Sequence, residues 1–183
     1  MVAGYVQHCA STRMASGLEH DRATCVLAVF YGVIWWPWFG IPCAAFSGLA
    51  FLFGGLFLSP DLDIHSRPYQ RWGILRWLWW PYQRLIPHRS MLSHSPFLGT
   101  AIRIVYFGCV VIFFSWLGSP WGAPTPEQLR SWLTQTWRES PNLILIGLFG
   151  IETSSWLHLI QDGDPVPRPL WKPKRPGKRR RRP

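Results

Sequence analysis

Four apolar runs separated by polar stretches constrain the fold of this chain more than any other sequence feature. They cover residues 25–39, 44–58, 97–117 and 142–160. A helix that crosses the hydrocarbon core of a membrane needs about 20 apolar residues, and the third and fourth runs approach that length. The first two runs are shorter, and proline and glycine separate them. We therefore expect these two runs to form a helical hairpin that turns at residues 38–42.

The four runs predict an all-α integral membrane bundle of about four spans. Residues 67–87 alternate arginine with tryptophan and aliphatic side chains, which predicts an interfacial helix in the central loop. The 13 tryptophans gather near the ends of the apolar runs, as is typical of side chains at a membrane–water boundary. We expect residues 1–13 to be dispensable or disordered, residues 14–163 to form the helical membrane domain, and residues 164–183 to be a disordered basic tail.

The formal charge of +10 is distributed unevenly along the chain. With four spans, the termini and the central loop lie on one side of the membrane, and most of the 19 basic residues fall there. Arg130 and Arg138 lie on the other side, and Arg103 lies near enough to the start of the third run to snorkel. The positive-inside rule therefore predicts cytoplasmic termini. We expect the tail to contact anionic membrane lipid rather than nucleic acid, and the oligomeric state stays open.

Side chains that can bind metal flank the same ends of the four predicted helices. They are His20, Asp21, Asp61, Asp63, His88, His94, His158 and Asp162. Carboxylate oxygen and neutral imidazole nitrogen are ligands of zinc, manganese and iron. The predicted topology places all of these side chains at the cytoplasmic end of the bundle. The sequence therefore predicts a site for one or two divalent metal ions, zinc in the first place and manganese or iron as alternatives.

The spacing of these residues refines the prediction. His158 and Asp162 are four residues apart, so both side chains lie on one face of a helix and one metal ion can take both. Asp61 and Asp63 follow the second apolar run directly. The two carboxylates could bridge two metal ions. Alternatively, one of them could be a ligand and the other could orient another ligand.

Two further residues are candidates for a catalytic role. Glu152 is an acid inside an apolar run, where ionisable side chains are costly and usually functional. On an ideal helix it lies about 9 Å along the axis from His158 and on a different face, so we predict a general base or an orienting partner rather than a ligand. Arg89 follows His88 and is predicted to hold an anionic substrate group such as a phosphate.

At these residues the chain resembles a family of uncharacterised bacterial membrane proteins that are regarded as metal-binding. The matching stretches are residues 16–22, 54–63, 71–83, 88–94 and 152–162. The resemblance covers nearly all of the chain before the tail. It implies that the histidine, aspartate and glutamate positions of these stretches are metal ligands, and that the protein is a multi-pass protein of the bacterial inner membrane.

A more distant resemblance concerns three short elements. Pro-Asp-x-Asp at 60–63, the two histidines of 88–94 and His-x3-Asp at 158–162 are similar to elements of the predicted membrane-bound metal-dependent hydrolases. Those proteins are grouped with zinc phospholipase C and P1 nuclease, an all-helical fold with His/Asp zinc clusters. Between His88 and His94 this chain has one residue more than the hydrolase pattern. The resemblance implies a phosphoesterase-like activity.

Two functions from different classes follow. The first is a metal-dependent hydrolase, phosphoesterase-like, with its site at the cytoplasmic membrane face. The alternative is a non-catalytic membrane protein whose metal site is structural or sensing. A structural site is coordinatively closed, whereas a catalytic site keeps an open position, so the surplus of candidate ligands favours two metal ions or one open site.

Overall fold

The computed structural model of the chain describes residues 16–163, which form helices and connecting loops without a strand. The α-helices are α1 (Gly17–Phe57), α2 (Arg67–Arg71), α3 (Trp80–Leu85), α4 (Met91–His94), α5 (Leu98–Gly118), α6 (Pro126–Glu139) and α7 (Pro141–Gln161). The 3₁₀ helices are Pro60–Asp63, Gly73–Trp79 and Ser119–Trp121. The all-α prediction is confirmed for these residues. The predicted N-terminal segment 1–13 and the tail 164–183 lie outside the described residues.

Helix α1 is a hairpin rather than a straight rod. Gly40 has φ +73°, which interrupts the helix, and the two arms fold back on each other. A Cβ atom on Gly32 would lie 2.8 Å from the carbonyl oxygen of Ala44, and one on Gly48 would lie 2.9 Å from that of Ala28. Such small residues let two helices approach closely. The hairpin predicted from the two short apolar runs is therefore confirmed.

Three helical segments are long and apolar enough to cross a membrane. They are Gly17–Asp63, Leu98–Trp121 and Pro141–Gln161. Their length and composition are compatible with a membrane protein. Because α1 folds back at Gly40, the number of crossings depends on whether each arm of the hairpin spans the bilayer, and the four predicted spans stay a prediction.

Helix α7 packs against the α1 hairpin, and glycines make the contact close. A Cβ atom on Gly54 would lie 2.8 Å from the Cα atom of Ile151, and one on Gly150 would lie 3.1 Å from the carbonyl oxygen of Ser47. The hydrophobic cluster of Ala28, Tyr31 and Phe51 lies in the hairpin beside this contact. The packing brings the first turn of α1 next to the last turn of α7.

The central loop differs from the single interfacial helix that the sequence predicted. Residues 67–87 form α2, the 3₁₀ helix Gly73–Trp79 and α3, because Gly73 adopts φ +54° and breaks the helical path. Trp79 and Tyr82 are each 1% exposed and pack with Leu58 in a hydrophobic core cluster. The loop therefore forms three short helical pieces rather than one amphipathic helix, and its position at a membrane interface stays a prediction.

Arg103 also differs from its predicted position. Its side chain is 1% exposed, so the prediction that it snorkels to the interface is wrong. The reason is that the interior supplies hydrogen-bond acceptors for the guanidinium group: the Ser93 carbonyl and the hydroxyls of Thr100 and Ser155.

Candidate metal centre

Two groups of histidine and aspartate side chains lie near the start of α1, the end of α7 and the two ends of the central loop. The first group is His20, His158 and Asp162, and the second group is Asp61, His88 and His94. Within each group, one ligand atom of every residue lies within 4.8 Å of the ligand atoms of the others. Tertiary packing therefore gathers six of the eight predicted ligands into two potential metal sites.

The first group joins the two ends of the helical pair α1 and α7. His20 Nε2 lies 3.0 Å from Asp162 Oδ1, and His158 Nε2 lies 3.4 Å from Asp162 Oδ2. The two imidazole rings are stacked with centroids 4.2 Å apart. His20 Nδ1 lies 2.8 Å from Gln161 Oε1, which fixes the orientation of the ring. The i, i+4 pair that the sequence predicted thus faces a third ligand from the other helix.

The charge state of Asp162 suits a metal ligand. Burial acts to raise the pKa of its carboxyl group, but the hydrogen bond with His20 and the nearby charge of His158 outweigh burial and hold that pKa below its usual range. The carboxylate is therefore ionised at neutral pH, as metal binding requires.

The second group comes from the central loop and depends on a supporting carboxylate. His94 Nε2 lies 3.8 Å from Asp61 Oδ1. His88 Nδ1 lies 2.9 Å from Asp63 Oδ1, and the Asp63 side chain is fully buried. This contact orients the His88 ring and directs its other nitrogen, Nε2, away from Asp63. Of the two roles that the Asp61–Asp63 spacing left open, the geometry favours Asp61 as a ligand and Asp63 as the orienting partner.

Asp61 lies between the two groups. Its Oδ2 atom is 3.4 Å from His158 Nε2 in the first group, and its Oδ1 atom is 3.8 Å from His94 Nε2 in the second. Each oxygen of one carboxylate therefore faces a different set of ligands. This is the arrangement by which a carboxylate bridges two metal ions.

The hydrogen-bonding state of the histidines tests whether this donor set fits a metal ion. His94 Nε2, His158 Nε2 and Asp63 Oδ2 are buried without a hydrogen-bond partner, although such an unpaired buried group costs about 1–3 kcal/mol. The opposite ring nitrogens are engaged: His94 Nδ1 lies 2.9 Å from Ser93 Oγ, and His158 Nδ1 lies 3.4 Å from Ser59 Oγ. Histidine ligands are typically oriented through their second nitrogen in this way. The residues therefore fit a divalent cation with nitrogen and oxygen ligands.

Asp21 does not join either group, contrary to its predicted role as a ligand. Its carboxylate pairs with Arg71 Nη2 and, at 3.1 Å, with Arg67 Nε. Adjacent residues of an α-helix point about 100° apart, so Asp21 faces these arginines while His20 faces α7. Two guanidinium groups neutralise the carboxylate, and its contacts connect α1 with α2.

Glu152 also lies outside both groups. Its Oε1 atom accepts hydrogen bonds from the Phe97 amide at 2.8 Å and from the Trp156 indole at 2.6 Å. Phe97 precedes α5 and has φ +62°, so the glutamate stabilises an unusual backbone turn and ties α5 to α7. This arrangement gives Oε1 a structural role, and the predicted role of general base or orienting partner stays a prediction.

A cleft with a volume of about 400 Å³ opens onto both groups. Ligands of both groups line it together with Ser66, Arg67 and Arg89. Arg89 thus lies beside the site as predicted, in a backbone conformation with φ +56°. Sequence reasoning missed Ser59, Ser93 and Gln161, which orient the imidazoles. The sequence signal that could have identified them is that each lies one or two residues from a predicted ligand.

The fold and the donor set define a helical metal-binding protein, and comparison with known proteins agrees. Over residues 15–171 the chain matches the family described as uncharacterized metal-binding protein (DUF2227), and it belongs to this family. A protein of Aquifex aeolicus (strain VF5), named as an uncharacterized protein, is 48% identical over 60 residues, which cover 32% of this chain and 42% of the relative. The chain thus matches less than half of that relative's length. No solved structure matches the chain.

Proposed function

We propose that the protein is a membrane-bound, metal-dependent hydrolase of phosphoesters whose site lies at the cytoplasmic face of a bacterial inner membrane. The observation that carries the proposal is the placement of Asp61, which faces both His/Asp groups with different oxygens beside an open cleft. A closed structural site would need four ligands and no access for substrate, whereas two adjacent groups beside a cleft suit a reaction.

The residues of the two groups have distinct tasks in this proposal. The first group would hold one divalent ion, the second group would hold another, and Asp61 would contribute to both. When bound, divalent metal ions supply Lewis acidity that activates water and polarises a phosphoryl oxygen. Asp63 keeps the ring of His88 in one orientation, and the Ser93 hydroxyl does the same for His94.

The arginines of the cleft support an anionic substrate. Arg67 and Arg89 line the cleft together with the ligands, and a guanidinium group matches the geometry of a phosphate. Arg67 is half-exposed and also pairs with Asp21, so it stays ordered beside the site. Because the site lies at the ends of apolar helices, a substrate at the membrane surface, such as a lipid phosphoester, would reach it directly.

The membrane location rests on the apolar helices and on the charge distribution. Three helical segments have the length and composition of membrane spans. The basic residues concentrate in the central loop and towards the termini, which by the positive-inside rule favours a multi-pass protein with both termini in the cytoplasm. The basic tail would contact anionic lipid there.

The test combines metal content with activity. Full-length protein purified in detergent without chelator should contain about two zinc, manganese or iron ions per chain by mass spectrometry, as a bridged dinuclear site requires. Asp61→Asn should lose them. Asp21→Asn is a matched control, because Asp21 lines the same cleft but lies outside both groups. Wild-type protein should hydrolyse a phosphodiester in a metal-dependent way, and the control should keep both metal ions.

Different failures have different meanings. Wild-type protein without stoichiometric metal contradicts the metal site itself. Protein that carries metal but hydrolyses neither soluble nor lipid phosphoesters contradicts the hydrolase proposal and leaves metal binding intact.

One observation favours the alternative, a structural metal site. His20 and His158 are 8% and 6% exposed and lie at opposite ends of the chain, so an ion in the first group would clamp α1 to α7. In that case, chelation should lower the midpoint of thermal unfolding by several degrees while no phosphoester is hydrolysed. Metal-dependent hydrolysis with full turnover would contradict this alternative.

A further inference from the structure

Arg103 is a buried cation in the second turn of α5, where an ionisable side chain is costly without a specific partner. Its Nη1 atom donates to the Ser93 carbonyl oxygen at 2.8 Å. Its Nη2 atom donates to Thr100 Oγ1 at 3.1 Å and to Ser155 Oγ at 3.0 Å. One guanidinium group thus connects α4, α5 and α7 immediately behind the second group.

The residue that Arg103 holds is the one that orients a ligand. Ser93 Oγ lies 2.9 Å from His94 Nδ1, while the Ser93 carbonyl accepts the hydrogen bond from Arg103. Because Nδ1 is engaged, His94 presents Nε2 towards Asp61 Oδ1, 3.8 Å away. The position of the Ser93 peptide group therefore determines where His94 Nε2, the nitrogen that would bind metal, lies.

The same carbonyl is confined from a second side. A Cβ atom on Gly99 would lie 2.7 Å from the Ser93 oxygen, closer than real Cβ contacts occur, and 3.0 Å from the Ser93 carbonyl carbon. Arg103 holds the carbonyl by a hydrogen bond, and the absence of a side chain at Gly99 leaves room for it. Two independent features of α5 thus fix the peptide that precedes His94.

The surrounding charges agree with this role. The carboxylates whose charge acts on Arg103 are Asp63, which orients His88, and Glu152, which ties α5 to α7. The hydrogen bonds of the guanidinium group to Ser93, Thr100 and Ser155 go to neutral oxygens. The guanidinium group thus bonds to neutral oxygens, while Asp63 bonds to His88 and Glu152 bonds to the Phe97 amide.

We propose that Arg103 is a positioning residue of the metal centre: it holds the Ser93 peptide so that His94 presents Nε2 to the ion shared with Asp61. It acts through Ser93 and makes no contact with the ion. The proposal rests on the metal site of the proposed function, but it does not depend on hydrolysis.

The test uses full-length protein in detergent, stripped of metal and titrated with Co²⁺, whose visible absorption reports the ligand geometry. Wild-type protein should bind two ions. Arg103→Gln and Gly99→Ala should keep the ion of the first group and bind the second about 10–100-fold more weakly, as is usual when a ligand loses its orienting partner. Gly108→Ala is the matched control in α5, because nothing lies within 4 Å of its added Cβ atom.

The outcomes separate this role from a general structural one. A second Co²⁺ ion bound by Arg103→Gln with wild-type affinity and spectrum overturns the proposal. If Arg103→Gln does not fold, Gly99→Ala decides, since it displaces the same carbonyl and keeps the charge. Arg103→Lys should restore part of the spectrum, because a lysine can still donate to the Ser93 carbonyl. Wild-type protein that binds no Co²⁺ overturns the metal site and this role together.

Discussion

The two metal-binding groups are built in different ways. The first group lies on the ends of long helices: His20 is in the first turn of α1, and His158 is in the last turn of α7. The second group lies on short elements: Asp61 in a 3₁₀ helix, His88 in a loop, and His94 at the end of the four-residue helix α4. Long helices position side chains through their own backbone hydrogen bonds, whereas short elements need side-chain contacts to do so.

The supporting contacts follow this difference. In the first group Gln161 and Ser59 contact the imidazoles, and the ligands also support one another, because the rings of His20 and His158 stack and both lie beside Asp162. In the second group each histidine relies on a residue outside the group: His88, 37% exposed, on Asp63, and His94 on Ser93. The first group therefore belongs to the scaffold of the bundle. We expect the second group to exchange its metal ion more readily.

A substitution of Asp61 should affect both groups alike, because its carboxylate faces both of them. Asp61→Asn should abolish the binding of both ions, the largest effect of any single substitution, since a neutral amide cannot bridge two cations. Calorimetric titration of metal-free protein with Zn²⁺ measures this. Asp21→Asn should bind both ions as the wild type does. An Asp61→Asn variant that still binds one ion tightly would show that the carboxylate belongs to one group.

Removal of a ligand from the first group should affect stability as well as metal binding. His158→Ala should lose the first ion and destabilise even the metal-free protein by about 2–4 kcal/mol, because it removes a buried side chain and its contacts with His20, Ser59 and Asp162. Thermal unfolding of metal-free protein in detergent, followed by circular dichroism, checks this prediction. An unchanged midpoint would contradict the view that this group is part of the scaffold.

Removal of His88, the most exposed ligand of the second group, should affect metal binding more than stability. His88→Ala should lose the second ion and destabilise the metal-free protein by about 1–2 kcal/mol, less than His158→Ala does. The imidazole is partly exposed, but its removal leaves the buried Asp63 carboxylate without this partner. The same two measurements apply. His88→Ala and His158→Ala form a matched pair, and equal losses of stability would remove the distinction between the groups.

The smallest effect on the metal centre should come from Glu152→Gln. The amide oxygen of glutamine can still accept from the Phe97 amide and the Trp156 indole, so both ions and any hydrolytic activity should remain. Glu152→Ala should destabilise the protein by about 1 kcal/mol, because two donors lose their acceptor at a partly buried position. A large loss of activity in Glu152→Gln, with metal content unchanged, would support the general-base role that the sequence predicted.

Much of the architecture could be predicted because it depends on local patterns. The apolar runs at 97–117 and 142–160 correspond closely to α5 and α7, and the break between the first two runs corresponds to Gly40 in the α1 hairpin. These features follow from hydrophobic length and from the conformational preferences of glycine and proline. The gathering of ligands at one end of the bundle followed from the same pattern, because a hairpin and two helices return the chain to the same end.

The residues whose surroundings differ from those expected have contacts with neighbours distant in the chain. Asp21 looks like a ligand beside His20, but it meets Arg67 and Arg71, and nothing in its local sequence indicates those partners. Arg103 looks like a snorkelling side chain, but Ser93 and Ser155 give it acceptors in the interior. A helical periodicity specifies the face on which a side chain lies, and it does not specify what packs against that face.

The sequence by itself determined an all-helical chain with membrane-length apolar segments and a set of histidines and aspartates at one end, because helix formation and hydrophobic length are local properties. Tertiary structure alone decided which of those side chains form two groups, that Asp61 lies between them, and that Asp63 and Ser93 orient histidines. The physical reason is that a metal site needs several atoms within a few ångströms of one point, and only the packing of α7 and the central loop against α1 brings them there.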